Sequence, residues 1–129
     1  MVTFFKKATK TTPAIRINTA ESLFEMEGVS RPEDVRSFYG ETIQALKMAL
    51  LEHKVQSNPF VLSFKMYYFN SSSAKFIADM MIVAKEAHEK GIPCEFRWYY
   101  HQDDEDMLEV GEDFCEMAGV EFHYIMIQP

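Results

Sequence analysis

A ten-residue run, Phe60 to Phe69, ends abruptly at Asn70-Ser71-Ser72-Ser73, and this junction limits the folds open to the chain. The run is apolar enough on both alternating faces to read as a central strand. After the polar break, Phe76, Ile77, Met80, Met81, Val83, Ala84 and Ala87 recur at helical spacing to about Lys90. Gly91 and Pro93 then stop the helix where a glycine and a proline are expected to. A buried strand feeding directly into a crossover helix belongs to an α/β domain with a mainly parallel sheet.

The other elements extend this pattern. Two strands precede the junction, about Ala14 to Asn18 and about Ser22 to Glu27, and Gly28 follows where a turn favours positive φ. Ser30-Arg31-Pro32-Glu33-Asp34 reads as a helix start, with Ser30 as the capping hydroxyl. That helix carries Val35, Phe38, Tyr39, Ile43, Leu46, Ala49 and Leu50 inward and ends near His53. Beyond Pro93 come a strand from Cys94 to Tyr100, a helix from Asp103 to Ala118 capped by Gly119, and a strand from Val120 to Ile127. The order β-β-α-β-α-β-α-β predicts a single domain over residues 13–129. It would hold a mainly parallel or mixed five-stranded sheet with three helices, behind a mobile arm at residues 1–12.

Charge narrows the partners. Thirteen Lys and Arg oppose twenty Asp and Glu, a net charge of −7. Every Lys and Arg lies at or before Arg97, and nine acidic residues fall between Asp103 and Glu121. This balance argues against a nucleic-acid binder and gives the C-terminal third an anionic surface suited to a protein partner. No apolar run approaches the ~20 residues that span a bilayer, and the N-terminus lacks a secretory apolar core, so no direct membrane insertion is expected and a cytoplasmic location is. Two cysteines, Cys94 and Cys115, do not make a disulfide framework and read as buried free thiols.

Little points to catalysis. The glycines are scattered, no serine sits in a G-x-S-x-G elbow, and His53, His88, His101 and His123 have no zinc-ligand spacing. His53 and His88 read as exposed helix positions, and His123 as a sheet residue opposite Phe122. Asp103 to Asp106 read as a capped helix start, Asp103 taking the cap. No cofactor or metal is called for. The serine triplet stands out, because open α/β sheets place their sites at the C-terminal ends of strands. A phosphate on one of these hydroxyls would sit at a helix N-terminus, adding about −1.5 to −2 charges, with Lys75 a turn away to reach back. The plainer reading is that Asn70 or one serine caps the helix and the others satisfy first-turn amides.

Taken together, the motifs resemble the SiaC family of regulatory phosphoproteins, small STAS-like domains similar in fold to the anti-sigma-factor antagonist SpoIIAA. The resemblance runs from Thr12 to Phe122. It rests chiefly on Tyr68-Phe69-Asn70-Ser71-Ser72-Ser73-Ala74-Lys75, similar to the family's Y-[FL]-N-[ST]-S-S-x-K. Thr12-Pro13-Ala14-Ile15, Gly28-Val29-Ser30-Arg31-Pro32-Glu33-Asp34, Arg97-Trp98-Tyr99-Tyr100 and Gly111-Glu112-Asp113-Phe114 support it. The resemblance implies a non-enzymatic protein phosphorylated on the hydroxyl residue after the motif asparagine. That residue is Ser71, with Ser72 and Ser73 as rivals. It further implies a Ser/Thr kinase, a PP2C-like phosphatase and an output protein, such as a diguanylate cyclase, bound by the unmodified form. The expected partner surface comprises Asn70, Ser71, Ser72, Ser73 and Lys75 with Arg31, Pro32 and Glu33, where Arg31 and Asp34 replace the family's Tyr and Asn. Two other readings stay open: an anti-sigma-factor antagonist in a partner-switching circuit, and a small hydrolase using one of the serines with His101.

Overall fold

The computed structural model describes residues 1–53 and 58–128. In chain order the elements are β1 (Thr3–Lys6), β2 (Ala14–Asn18), β3 (Leu23–Ser30), α1 (Val35–Glu52), β4 (Phe60–Phe69), α2 (Ser71–Glu89), β5 (Cys94–His101), α3 (Glu105–Ala118) and β6 (Phe122–Ile127). One six-stranded sheet runs in sequence order from β1 to β6. The β1–β2 and β2–β3 pairs are antiparallel; β3–β4, β4–β5 and β5–β6 are parallel.

Three successive right-handed crossovers that step the same way along a sheet place their helices on one face. Period-two patterning agrees: Ile15 and Ile17 of β2, Phe24 and Met26 of β3, Phe60, Leu62, Phe64 and Met66 of β4, and Phe96 and Trp98 of β5 are all buried. Leu46 and Leu50 of α1 and Ile77, Met80 and Met81 of α2 close the core from the other side. The opposite sheet face is open and laced with ion pairs, Arg16 with Glu21 (2.6 Å) and Arg97 with Glu95 (2.6 Å) among them.

The α/β class, the three helices and the element order match the sequence reading, with one strand more than expected. The residue 1–12 arm is tied to the sheet through β1: Phe4 packs against the core, and the Val2 amide donates to Thr19 Oγ1 (2.8 Å). A four-residue strand with one inward aromatic is too short to stand out from a Lys- and Thr-rich background. The start of α1 also differs. Ser30 is the last residue of β3, and Asp34 is the cap, accepting from the Ser37 amide at 3.1 Å. Likewise Asp104, not Asp103, caps α3, accepting from the Met107 amide at 3.0 Å. Gly119 ends α3 in the left-handed region, as expected (φ +68). His53 is not an exposed helix residue. It is the buried C-cap of α1, with Nδ1 3.1 Å from Ser22 Oγ and Nε2 3.2 Å from the Asn58 carbonyl. His88 and His123 are exposed. Cys94 and Cys115 are free and half-buried, and burial pushes the Cys94 thiol up to about 11.

Candidate functional site

The site lies where β3 and β4 end side by side, Ser30 in register with Phe69. Extending each strand by one residue brings Arg31 and Asn70 to neighbouring positions on the C-terminal edge of the sheet. The Asn70 amide donates to the Ser30 carbonyl (3.1 Å), and the Arg31 amide to the Thr11 carbonyl (2.7 Å). These bonds fix the Arg31-Pro32-Glu33 loop beside the start of α2. Asn70 is the N-cap in extended conformation; its side-chain oxygen accepts from the Ser73 amide (2.9 Å) and its carbonyl from the Ala74 amide (2.9 Å). The side-chain bond satisfies one of the amides that a helix start leaves unpaired, and the carbonyl takes the first regular bond of the helix.

The three serines have separate fates. Ser71 and Ser72, the first two helical residues, are exposed. Ser73 has no exposed surface. Its hydroxyl donates to the Ser30 carbonyl (3.1 Å) and accepts from Ser30 Oγ (2.7 Å). With the Ser30 proton so used, the Tyr39 phenol donates to Ser30 Oγ. Tyr39 stacks on Phe76 of α2 at 5.6 Å and 9°. Ser30, Tyr39 and Ser73 thus form a buried hydroxyl cluster that pins the first turn of α2 to β3 and α1. Ser73 therefore does not fit the expected roles of rival phosphate acceptor and partner contact, because kinase and partner alike need an accessible oxygen. Sequence alone does not separate three identical neighbours. The separation follows from helix geometry, which turns the third residue inward once Asn70 is the cap.

Lys75 also departs from expectation. It does not reach back to the serines but pairs with Asp79 one turn on (3.2 Å) and lies over the Phe76 ring (4.8 Å). In this structure the Lys75 ammonium is thus placed at Asp79 and not at Ser71. Tyr67 and Tyr68, near the end of β4 just before the motif, are exposed by 45% and 49%. Tyr67 donates to Glu27 (3.1 Å) and packs on His101 (5.4 Å between rings). The β3 irregularity between Gly28 and Val29 displaces this stretch, pairing Gly28 with Met66 and Val29 with Tyr68.

None of the triplet hydroxyls is hydrogen-bonded to a histidine among the described residues. The Ser–His bond present there joins Ser22 to His53, far along the chain from the triplet. Clefts of about 530 Å³ beside Ser22 and His53 and about 550 Å³ beside His88 and Cys94 include none of residues 70–75. No group of three or more His, Cys, Asp or Glu with metal-binding geometry occurs among the described residues. The site is thus an exposed helix start beside a loop, a shape that suits a macromolecular partner.

Residues 6–127 match the family described as SiaC family regulatory phosphoprotein. The chain belongs to the SiaC family. It is 31% identical over 114 residues to an uncharacterised protein of Pseudomonas aeruginosa strain UCBPP-PA14, a match covering 88% of each chain. It is 28% identical to a chain in the crystal structure of diguanylate cyclase SiaD in complex with its activator SiaC from P. aeruginosa, with TM-score 0.87 over 96% of this chain and 99% of that one. Apo-SiaC from the same organism gives 28% identity and TM-score 0.82, with 98% of each covered. Among the described residues, no helix is long and apolar enough to cross a membrane.

The hydroxyl cluster makes a stability prediction. Ser73→Ala removes two buried hydrogen bonds and leaves Ser30 partly unsatisfied, so urea denaturation should show a loss of about 1–3 kcal/mol. Ser71→Ala and Ser72→Ala, both at exposed positions, should stay within about 0.5 kcal/mol of the parent.

The cluster is also sensitive to alkali. Burial is the main cause that pushes the Tyr39 phenol up to about 12, outweighing its bonds to Ser30 and Ser73. A folded pKa above the unfolded value of about 10 means the stabilisation is complete below pH 10 and lost as pH rises towards 12. The parent should lose about 2–3 kcal/mol more than Tyr39→Phe across that window, read as the difference between their urea midpoints at each pH.

Proposed function

We propose that this protein is a phosphorylation-switched activator of a diguanylate cyclase, active as a binding partner when Ser71 is unmodified. The observation that supports it most is the division of labour at the start of α2. Asn70 and Ser73 hold the helix in place, while Ser71 is exposed and without a hydrogen-bonding role among the described residues. A phosphate can join Ser71 without disturbing the fold, and it then stands on the partner-facing surface. The similarity to SiaC, described as the activator of SiaD in their complex, supports a cyclase as the output enzyme.

In this reading the chain is not itself an enzyme and acts in the cytoplasm. A Ser/Thr kinase places the phosphate on Ser71 and a PP2C-like phosphatase removes it. The contact surface combines Ser71 and Ser72 with the Arg31-Pro32-Glu33 loop and the rim residues Asn70 and Lys75. Arg31 and Glu33 are exposed on that loop, so its chemistry helps select which cyclase is bound. The direct test is cyclic di-GMP production by the cyclase from the same genome. Unmodified protein should raise turnover in a saturable way, and stoichiometric phosphorylation at Ser71 should remove the effect. Activation by both forms alike would contradict the switch.

A further inference from the structure

The two edges of the sheet are built differently. At one edge β1 is four residues long and ends in Lys6. At the other, β6 presents Phe122 to Ile127, six residues with no Asp, Glu, Lys, Arg or Pro and no bulge in its pairing with β5. Alternate residues of such a strand direct backbone N–H and C=O groups outward, and soluble proteins ordinarily blunt such an edge with charge, proline or irregularity. Here it is left open, with Tyr124 and Met126 exposed by 37% and 45%.

The flank of this edge carries one sign of charge. Glu105, Asp106, Glu109, Glu112, Asp113 and Glu116 of α3 are all exposed, and none is in an ion pair among the described residues. Helix and edge are contiguous: the Trp98 ring lies 5.6 Å from Phe114 of α3 and 6.2 Å from Phe122 of β6, and the Cys115 thiol donates to the Val120 carbonyl just before β6 (2.9 Å). A second copy pairing β6 to β6 would set two such acidic helices side by side. An extended basic segment instead meets both needs, its backbone completing the ladder and its cations facing the carboxylates.

We propose that β6 is the docking edge for an extended, Lys- or Arg-rich segment of another protein, which joins the sheet as a seventh strand alongside α3. This surface is separate from the Ser71 edge and does not depend on the cyclase reading.

The test uses the full chain and a fluorescent peptide of alternating Lys and Val, matched in length to β6, followed by anisotropy. Saturable binding is expected, with new hydrogen-exchange protection confined to β6. Glu109→Lys with Glu112→Lys, both surface changes verified for folding by circular dichroism, should weaken it by at least about tenfold. A fully N-methylated version of the peptide, which keeps the charge but cannot form a ladder, should not bind. Absence of saturable binding would overturn the proposal. So would equal binding of the N-methylated peptide, which would leave only non-specific charge attraction. Dimerisation through β6 in sedimentation without peptide would also overturn it, by giving the edge to a second copy.

Discussion

Phosphorylation of Ser71 is expected to weaken binding to the output cyclase by roughly two to three orders of magnitude while leaving the fold intact. Two effects compete. The phosphate sits at the positive end of α2, a favourable placement worth at most about 2 kcal/mol. In the proposed complex the same dianion would be driven into an interface, where burying a charge without a matched cation costs several kcal/mol. The only cation in the first turns of α2, Lys75, is occupied by Asp79. The interface penalty therefore wins, with a net loss of about 3–4 kcal/mol. Calorimetry against the cyclase should show Ser71→Ala binding like the unmodified parent and Ser71→Asp binding poorly. The phosphorylated protein should bind most weakly, because Asp carries less charge. Its thermal midpoint should match the parent's. A phosphorylated form that unfolds earlier would mean the switch acts through the fold and not through the interface.

The largest effect on the fold is expected at Gly111. A Cβ built there would lie 2.4 Å from Trp98 Cδ1 and 2.5 Å from its Nε1. Trp98 is fully buried, and its indole N–H donates to the Met107 carbonyl at 2.9 Å, one turn before Gly111 on α3. The indole is held between Phe64, Phe114 and Phe122, with ring centroids at 6.0, 5.6 and 6.2 Å, so it has little room to retreat. Gly111→Ala would gain about 1 kcal/mol of helix propensity. Displacing α3 or the indole costs about 1–3 kcal/mol, and losing the indole bond exposes a further penalty of about 1–3 kcal/mol. The clash outweighs the propensity gain, and urea denaturation should show a net loss of about 2–4 kcal/mol. Glu109→Ala, an exposed change in the same helix, should fall within about 0.5 kcal/mol of the parent. Equal stability of Gly111→Ala and the parent would show that α3 has freedom to shift.

The long elements were legible because burial on one side imposes periodicity. Phe60–Phe69 and the helix after it read correctly to within a residue, and Asn70 was among the residues read as a possible cap. β1 was not legible, because its stability comes from pairing with β2 and from Phe4 meeting the core, neither of which leaves a local pattern in four residues. Ser30 misled for a related reason. It has the chemistry of a cap, but the Ser73 and Tyr39 hydroxyls that it meets lie 43 and 9 residues away. His53 misled in the same manner, since its partner Ser22 lies 31 residues upstream. At the candidate site, composition pointed to the triplet but not to its inner order. Ser73 differs from Ser71 only in the direction that a step of two helical residues gives it.

The measurement that bears most directly on the central claim is phosphopeptide mapping of the protein isolated from its own cells across growth conditions. Trypsin cleavage after Lys65 and Lys75 releases one peptide, Met66 to Lys75, containing all three serines. Phosphate on Ser71, at an occupancy that changes with conditions, is the predicted result. Phosphate on buried Ser73, on Ser72 alone, or on none of the three under every condition would contradict a switch at Ser71.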